Sequence, residues 1–290
     1  MSQKSRKMTI ALTPGSIGVK ATQAEAIELA HYYGYESVEP FATYLSTLSE
    51  SEIRKTADHV QSLSLQWAAA GLPVEFRQSE EQFQEGLKML PKHARALQVA
   101  GVTRVGTWIR PTHDTLTYRQ NFDQHVRRLG AVAQILEDHG LRLGLEYVGP
   151  KLSWSAQRYP FIHTLAETKE LIAALGRKNV GFVLDSWHWY TAKESVADLE
   201  TLSNAQVVSV DLNDAPRGLS IDQQVDNQRE LPCATGVIDV GAFLNALYRM
   251  EYDGPVRPEP FNAALRQLPK DQILSTTLEA MQKAFALIKS

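Results

Sequence analysis

Apolar runs alternate with amphipathic stretches along the whole chain. The clearest run is Val180–Leu184, which is closed by Asp185 and is typical of a strand buried on both faces. Residues 117–139 have instead the spacing of an amphipathic helix. Together the two patterns predict a series of eight strands. They are placed at residues 8–12, 37–40, 65–70, 102–109, 141–148, 180–185, 206–214 and 254–259.

Helical segments separate these strands, and several begin at a capping box. Thr22, Ser49 and Ser79 each stand three positions before a Glu or Gln, a spacing that satisfies backbone N–H groups of a first helical turn. Pro91 is expected to interrupt or divide the helix that begins at Ser79. The helices are placed at residues 22–31, 49–63, 79–100, 117–139, 164–175, 195–202, 239–250 and 271–288.

The order of these elements predicts the fold. Eight strand-then-helix units follow one another without a linker or a shift in composition, which is the pattern of a (β/α)8 TIM barrel. A doubly wound open sheet is the alternative, but the glycines of residues 13–18 lack the spacing of its phosphate-binding turn. We therefore predict an α/β fold, with residues 1–290 forming a single TIM barrel domain.

Composition narrows the function mainly by exclusion. A net charge of −3 over 290 residues gives no electrostatic footprint for nucleic acid. The one cysteine, Cys233, excludes an intrachain disulfide and receives no role. Met1–Lys7 lacks the apolar core of a signal peptide, and no later stretch is long enough to span a bilayer. We expect a cytoplasmic protein without a nucleic-acid or membrane partner.

Acidic residues close four consecutive strands. Glu146, Asp185, Asp211 and Glu259 would meet at one mouth of a barrel, because the carboxyl ends of its strands converge there. Four neighbouring carboxylates repel one another unless a cation lies among them, and oxygen-rich sites suit Mg²⁺ or Mn²⁺, with Co²⁺ as a further option. The alternative is that each acid caps a helix or pairs with a nearby arginine.

These residues resemble the xylose isomerase-like superfamily of TIM barrels, which contains ketose 3-epimerases, hydroxypyruvate isomerases, inosose dehydratases and endonuclease IV. The resemblance covers nearly the whole chain. It is carried by Gly34–Glu39, Leu145–Glu146, Leu184–Asp185 with His188, Leu231–Asp239 and Glu259. It implies that Glu146 and Glu259 bind one divalent metal and also move protons on the two sides of a substrate carbon. It further implies that Asp185 is a metal ligand and that His188 polarises a substrate oxygen.

One residue departs from the family pattern. The family usually has a histidine where this chain has Asp211, followed by Asp214. Asp211 can still bind metal through oxygen, but the loss of an imidazole makes zinc less favourable and leaves open weak or absent metal binding. Asp214 fits a role in orienting the ligands. The aspartate on strand 7 and the alanines at 68–70 argue against a zinc nuclease.

Residues in the predicted loops are candidates for substrate binding. Glu39 ends the second strand, and Arg229 and Arg217 lie in the long polar segment 215–238, a length typical of functional loops. The favoured function is metal-dependent isomerisation or epimerisation of a small sugar, a ketose or keto-polyol, by proton transfer through an enediolate. A lyase of the inosose or dehydroshikimate dehydratase type and a non-catalytic sugar-binding protein remain as alternatives. The family resemblance also leaves a homo-oligomer open.

Overall fold

The computed structural model describes residues 6–289 of the chain. Its strands are β1 (Thr9–Leu12), β2 (Ser37–Val38), β3 (Gln66–Trp67), β4 (Ala70–Gly71), β5 (Arg104–Trp108), β6 (Thr112–His113), β7 (Arg142–Glu146), β8 (Tyr159–Pro160), β9 (Val180–Asp185), β10 (Val207–Leu212) and β11 (Pro255–Pro258). Its α-helices are α1 (Gln23–Tyr33), α2 (Ala42–Leu45), α3 (Glu50–Ser62), α4 (Glu80–Val99), α5 (Tyr118–Asp138), α6 (Lys151–Trp154), α7 (Leu165–Leu175), α8 (Ser186–Thr191), α9 (Val196–Glu200), α10 (Val240–Arg249) and α11 (Lys270–Phe285). Short 3-10 helices occur at Asn204–Gln206, Ile221–Gln223 and Leu265–Gln267.

Nine of the strands form one parallel sheet, in the order β3-β2-β1-β11-β10-β9-β7-β5-β4. The two end strands are pieces of a single segment, residues 66–71, which we predicted as one strand. β3 pairs with β2, and β4, three residues further along, pairs with β5. Because the same segment forms both ends of the sheet, the sheet closes on itself and the predicted TIM barrel is confirmed.

The helices cover the outside of the barrel, and most of their predicted starts are correct. The capping boxes at Thr22, Ser49 and Ser79 are all present. The expected effect of Pro91 is wrong, because α4 continues through that residue. Leu90 and Leu97, on either side of the proline, are buried against the barrel, so packing of the apolar face holds the helix together despite the missing N–H donor.

Small elements that the hydrophobic pattern did not predict lie near the carboxyl ends of the strands. α8 follows β9 directly, and α6 lies in the loop after β7. β6 and β8 pair antiparallel, with Thr112 opposite Pro160 and His113 opposite Tyr159. This pairing joins the loop after β5 to the loop after β7, so the two loops form one wall beside the mouth.

The described residues contain no helix that is both long and apolar enough to cross a membrane. Most of the N-terminal segment Met1–Lys7, on which the expectation about a signal peptide rests, lies outside the described residues.

Candidate active site at the barrel mouth

The four acids of the predicted cluster meet at the carboxyl end of the barrel. Glu146 ends β7, Asp185 ends β9, Asp211 lies near the end of β10, and Glu259 follows β11. One oxygen from each of the four lies within 4.8 Å of the others. Among residues 6–289, the groups of side chains that could hold a metal ion are this cluster and an overlapping one in which His188 joins Glu146 and Asp185.

Strand register explains why the acids face one another. Asp211 pairs with Asp185 on one side and with Arg257 on the other, so the three side chains share one row and one face of the sheet. Asp185 also caps α8, because its Oδ1 accepts the backbone N–H of Trp187 at 2.7 Å and an N–H of Asn213 at 2.9 Å. The capping alternative is therefore correct for Asp185, and its Oδ2 still faces the cluster.

Arg229 reaches the cluster from the long loop after β10. It donates to Asp185 Oδ2 at 2.7 Å, to Glu259 Oε2 at 3.1 Å and to Asp226 Oδ1 at 2.8 Å. Its guanidinium carbon lies 4.7 Å from the centre of the Phe261 ring, and only 2% of the residue is exposed. Arg229, which we predicted to bind substrate, thus bridges three acids of the protein itself. It would have to exchange one of these bonds to contact a substrate.

Arg257, on β11, is a site residue that our sequence reasoning missed. Its Nε and Nη2 donate to the two oxygens of Asp211, the second at 2.7 Å, and Nη2 lies 3.5 Å from Glu259 Oε1. The signal was present in the sequence, because a residue two positions before Glu259 on a strand shares its face.

Burial and mutual repulsion raise the pKa values of the acids. The pKa of Glu146 lies well above its ordinary value because the carboxyl is buried and then because Glu259, Asp211 and Asp185 are close. Burial, followed by the charge of Asp211, raises the pKa of Glu259 to about 7. Burial raises the pKa of Asp185 to about 6 although the Arg229 guanidinium opposes the shift. Without a cation, the cluster therefore holds protons near neutral pH.

Glu146 has a buried carboxylate oxygen that is left without a bond. Glu146 Oε1 is buried, and no hydrogen-bond partner reaches it from the described part of the chain. A buried carboxylate oxygen normally has a partner, so this atom points to a proton or a cation that completes the site. An all-oxygen donor set is also the kind that hard divalent cations prefer. The cluster is therefore a candidate site for a divalent metal ion.

His188 lies at the edge of the cluster as a neutral imidazole. Burial, and then the nearby Arg229 charge, lowers its pKa to about 3. Nδ1 accepts the backbone N–H of Gly149 at 3.2 Å, and Nε2 faces the acids, 3.8 Å from Asp185 Oδ2 and 3.9 Å from Glu146 Oε1, with Arg229 Nη2 3.3 Å away. A Cβ at position 149 would lie 2.6 Å from the carbonyl oxygen of His188, so only glycine permits this approach.

A cavity of about 450 Å³ opens above these groups. Glu146, Glu259 and His188 are among the polar residues that line it, and Trp108 and Phe261 add apolar surface. Trp108 is 41% exposed, which is unusual for so large an apolar side chain. The combination of flat apolar rings with convergent polar groups is typical of a site for a small polar molecule.

The remaining predicted residues lie around this centre. Glu39 is half-buried behind the Asp211–Arg257 pair, and burial raises its pKa to about 6. Asp214 is fully buried and accepts backbone N–H groups of the loop 215–238, including those of Thr235 at 2.8 Å and Gly236 at 2.7 Å. It thus holds that loop. Arg217 is exposed, donates to the carbonyl of Thr235 at 2.8 Å and does not line the cavity.

Two sequence relatives of the chain have named activities. The chain is 26% identical to the inosose isomerase of Halalkalibacterium halodurans over 167 residues, which is 56% of each protein, so the match spans little more than half the length of that relative. It is 23% identical to the 3-dehydroshikimate dehydratase of Pseudomonas putida over 276 residues, which is 92% of this chain and 40% of that one.

Two solved structures share the fold along nearly the whole chain. A xylose isomerase domain protein from Alicyclobacillus acidocaldarius is 33% identical, with a TM-score of 0.82 and coverage of 97% of this chain and 99% of that one. The IolI protein, solved with a bound zinc atom, is 20% identical, with a TM-score of 0.80 and coverage of 98% and 100%. The family model named xylose isomerase-like TIM barrel matches residues 27–284. The resemblance is thereby confirmed, and the chain belongs to the xylose isomerase-like TIM barrel family.

Proposed function

We propose that the protein is a metal-dependent sugar isomerase or epimerase that moves a proton alpha to a carbonyl through an enediolate. The observation that carries the proposal is the pair Glu146 and Glu259, two acids with raised pKa values that line one cavity beside a candidate metal site. The inosose isomerase relative supports the same chemistry. A ketose or keto-polyol is the substrate class that fits a cavity lined by both polar groups and aromatic rings.

The four acids are the proposed holders of a divalent cation, with Mn²⁺ or Mg²⁺ favoured by the all-oxygen donor set and Co²⁺ as a further option. Zn²⁺ fits such a set less well, although the related IolI structure contains it. A bound cation would supply positive charge to the oxygens of the developing enediolate.

The protein's own groups would carry the protons. The charge of Glu259 raises the pKa of Glu146, and the pKa of Glu259 is itself raised to about 7, so Glu259 can ionise and act as a base while Glu146 keeps a proton to donate. Neutral His188 would meet a substrate oxygen through Nε2, the ring nitrogen that faces the acids. Arg229 holds Asp185, Glu259 and Asp226 in place, which keeps the base and the acid at fixed positions.

Exchange of substrate protons with solvent tests the reaction. The protein with Mn²⁺ is incubated in D₂O with a panel of ketoses and inososes, and NMR follows deuterium incorporation alpha to the carbonyl. We expect incorporation in wild type and its loss in Glu146→Gln and in Glu259→Gln. Glu194→Gln is the matched control, because Glu194 is a mostly buried acid with a pKa raised to about 7 that lies outside the cavity. The absence of exchange in wild type with every compound would contradict the proposal.

A lyase is the second candidate, and the dehydratase relative that aligns with 92% of this chain favours it. The same enediolate would then expel a β-hydroxyl group as water. The D₂O experiment separates the two, because an isomerase exchanges protons without loss of water and a lyase yields an unsaturated product that absorbs ultraviolet light. Metal binding without exchange or water loss would favour a non-catalytic sugar-binding protein.

A further inference from the structure

The two arginines of the mouth bind their acids in different ways. Arg229 touches Asp185 through one nitrogen at one oxygen, at 2.7 Å. Arg257 faces Asp211 with the fork of its guanidinium, so that Nε and Nη2 each bond a different oxygen. A bidentate pair covers the front of the carboxylate, where a metal ion would otherwise approach, whereas a single bond leaves part of the carboxylate open.

Strand register makes the Asp211–Arg257 pair a fixed part of the barrel. The two residues are direct partners across β10 and β11. Asp211 is fully buried, and the Arg257 side chain is 23% exposed. Breaking the pair in the metal-free protein would leave a buried carboxylate without its counter-charge, which is strongly unfavourable.

The other acids of the cluster differ from Asp211 in what their oxygens face. Glu146 Oε1 has no partner among the described residues, and the nearest Arg257 nitrogen is 3.5 Å from Glu259 Oε1. These two oxygens face the cluster with little or no bonding, and Asp185 Oδ2 has a single bond, from Arg229 at 2.7 Å, which it would share with an ion or exchange for it. A divalent ion bound directly to Asp211 would also lie within a few ångströms of the Arg257 guanidinium, and the two positive charges would repel.

From this geometry we infer that Arg257 is a built-in cation that removes Asp211 from the metal-ligand set. A divalent ion is then held by Glu146, Asp185 and Glu259. The Asp211–Arg257 pair occupies the position of the fourth ligand without bonding to the ion. The inference rests on the proposed function only in taking the cluster to be a metal site. It sharpens that proposal, because it names three of the four acids as ligands.

Calorimetric titration of the metal-stripped protein with Mn²⁺ alone tests the inference. Arg257→Met frees Asp211 and removes a positive charge, so we expect its affinity for Mn²⁺ to rise about tenfold or more over wild type. Arg257→Lys keeps the charge but loses the bidentate bond, so its affinity should lie between those of wild type and Arg257→Met. Asp211→Asn alone is uninformative, since it leaves an unpaired guanidinium beside the ion whichever view is right.

The double variant Arg257→Met/Asp211→Asn is the decisive protein. It removes both charges together, so it should fold even if Arg257→Met does not, and circular dichroism checks this. We expect its Mn²⁺ affinity to lie within about threefold of wild type, because no ligand has been lost. A fall of about 30-fold or more would show that Asp211 is a ligand and would overturn the inference.

Two other outcomes would also overturn it: an unchanged Mn²⁺ affinity in a folded Arg257→Met variant, and the absence of Mn²⁺ binding in wild type and every variant. Binding that is absent in wild type but present in Arg257→Met would also overturn it, because Arg257 would then exclude the ion altogether instead of leaving a site of three ligands. If these affinities follow the expected pattern while no sugar exchanges protons, the proposed reaction fails and the assignment of Arg257 stands.

Discussion

The two ends of the barrel both gather charged side chains but satisfy them differently. At the amino end, Arg104 and Arg142 begin β5 and β7 and donate to backbone carbonyls, with Arg104 bonding Val208 at 2.9 Å and Arg142 bonding Val207 at 3.0 Å. The pairing of β9 and β10 shifts register between Val207 and Ser209, which frees these carbonyls from the ladder. At the mouth, by contrast, Glu146 keeps an oxygen without a partner. Charged side chains that hydrogen-bond backbone carbonyls stabilise the fold, whereas a charged side chain with an unbonded oxygen can bind a ligand.

The largest effect on activity is expected from a substitution at the mouth, the carboxyl end of the barrel. Glu146→Gln should lower the rate of proton exchange by about 10³-fold or more, because a base or acid of the reaction is lost. Its free energy of unfolding at neutral pH should not fall and should rise, since the buried Glu146 carboxyl must keep a proton on folding that the unfolded chain releases, whereas Gln has no such cost. NMR exchange rates and urea denaturation measure the two quantities. A large loss of stability would show that Glu146 serves the fold.

The reverse result is expected at the amino end. Arg104→Ala should reduce the free energy of unfolding by about 2–3 kcal/mol, because the Val208 carbonyl loses its arginine donor, the Val207 carbonyl keeps only the bond from Arg142, and the ion pair with Asp253 is broken. Proton exchange per folded molecule should stay within about twofold of wild type. Arg249→Ala, at an exposed arginine paired with Glu200, is the control and should cost less than about 0.5 kcal/mol. Equal losses in the two variants would contradict the role given to Arg104.

Added metal should stabilise the protein by binding to the acids at the mouth of the barrel. Mn²⁺ at about 100 times its Kd should raise the free energy of unfolding by about 2.7 kcal/mol, which a thermal melt detects as a higher Tm. The increase should vanish in Glu259→Gln and persist in Arg104→Ala. Persistence in Glu259→Gln would move the metal site away from the mouth.

The smallest effect concerns Glu194, which accepts hydrogen bonds from Tyr147 and from the backbone N–H of Leu165 near the mouth. Burial raises its pKa to about 7. The folded state therefore keeps a proton that the unfolded state releases above about pH 4.5, so stability should fall as pH rises through 7.

Glu194→Gln lacks that titration. Relative to this variant, wild type should therefore lose on the order of 1–3 kcal/mol in free energy of unfolding as the pH rises from 4.5 to 8. Urea denaturation at several pH values measures it, and a difference independent of pH would refute the assignment.

Most of the fold was predictable because each barrel strand is an apolar run with a clear end. The acids were found for the same reason, since Glu146 and Asp185 close such runs. Arg257 was not predicted because it does not close its strand. It lies two positions before Glu259 and shares its face. The bridging of three acids by Arg229 could not be predicted, because it depends on how residues 215–238 fold around Asp214, and that loop has no periodic pattern.

The closing segment of the barrel has a consequence for its motions. Residues 66–71 join the rest of the sheet through two residue pairs on each side, whereas β5 and β7 share five. All four acids come from the half of the barrel that lies away from this seam. Transient opening of the sheet should start at the seam, where amide hydrogens would exchange first. The barrel can thus open locally at the seam while the carboxylates on its other side keep their spacing.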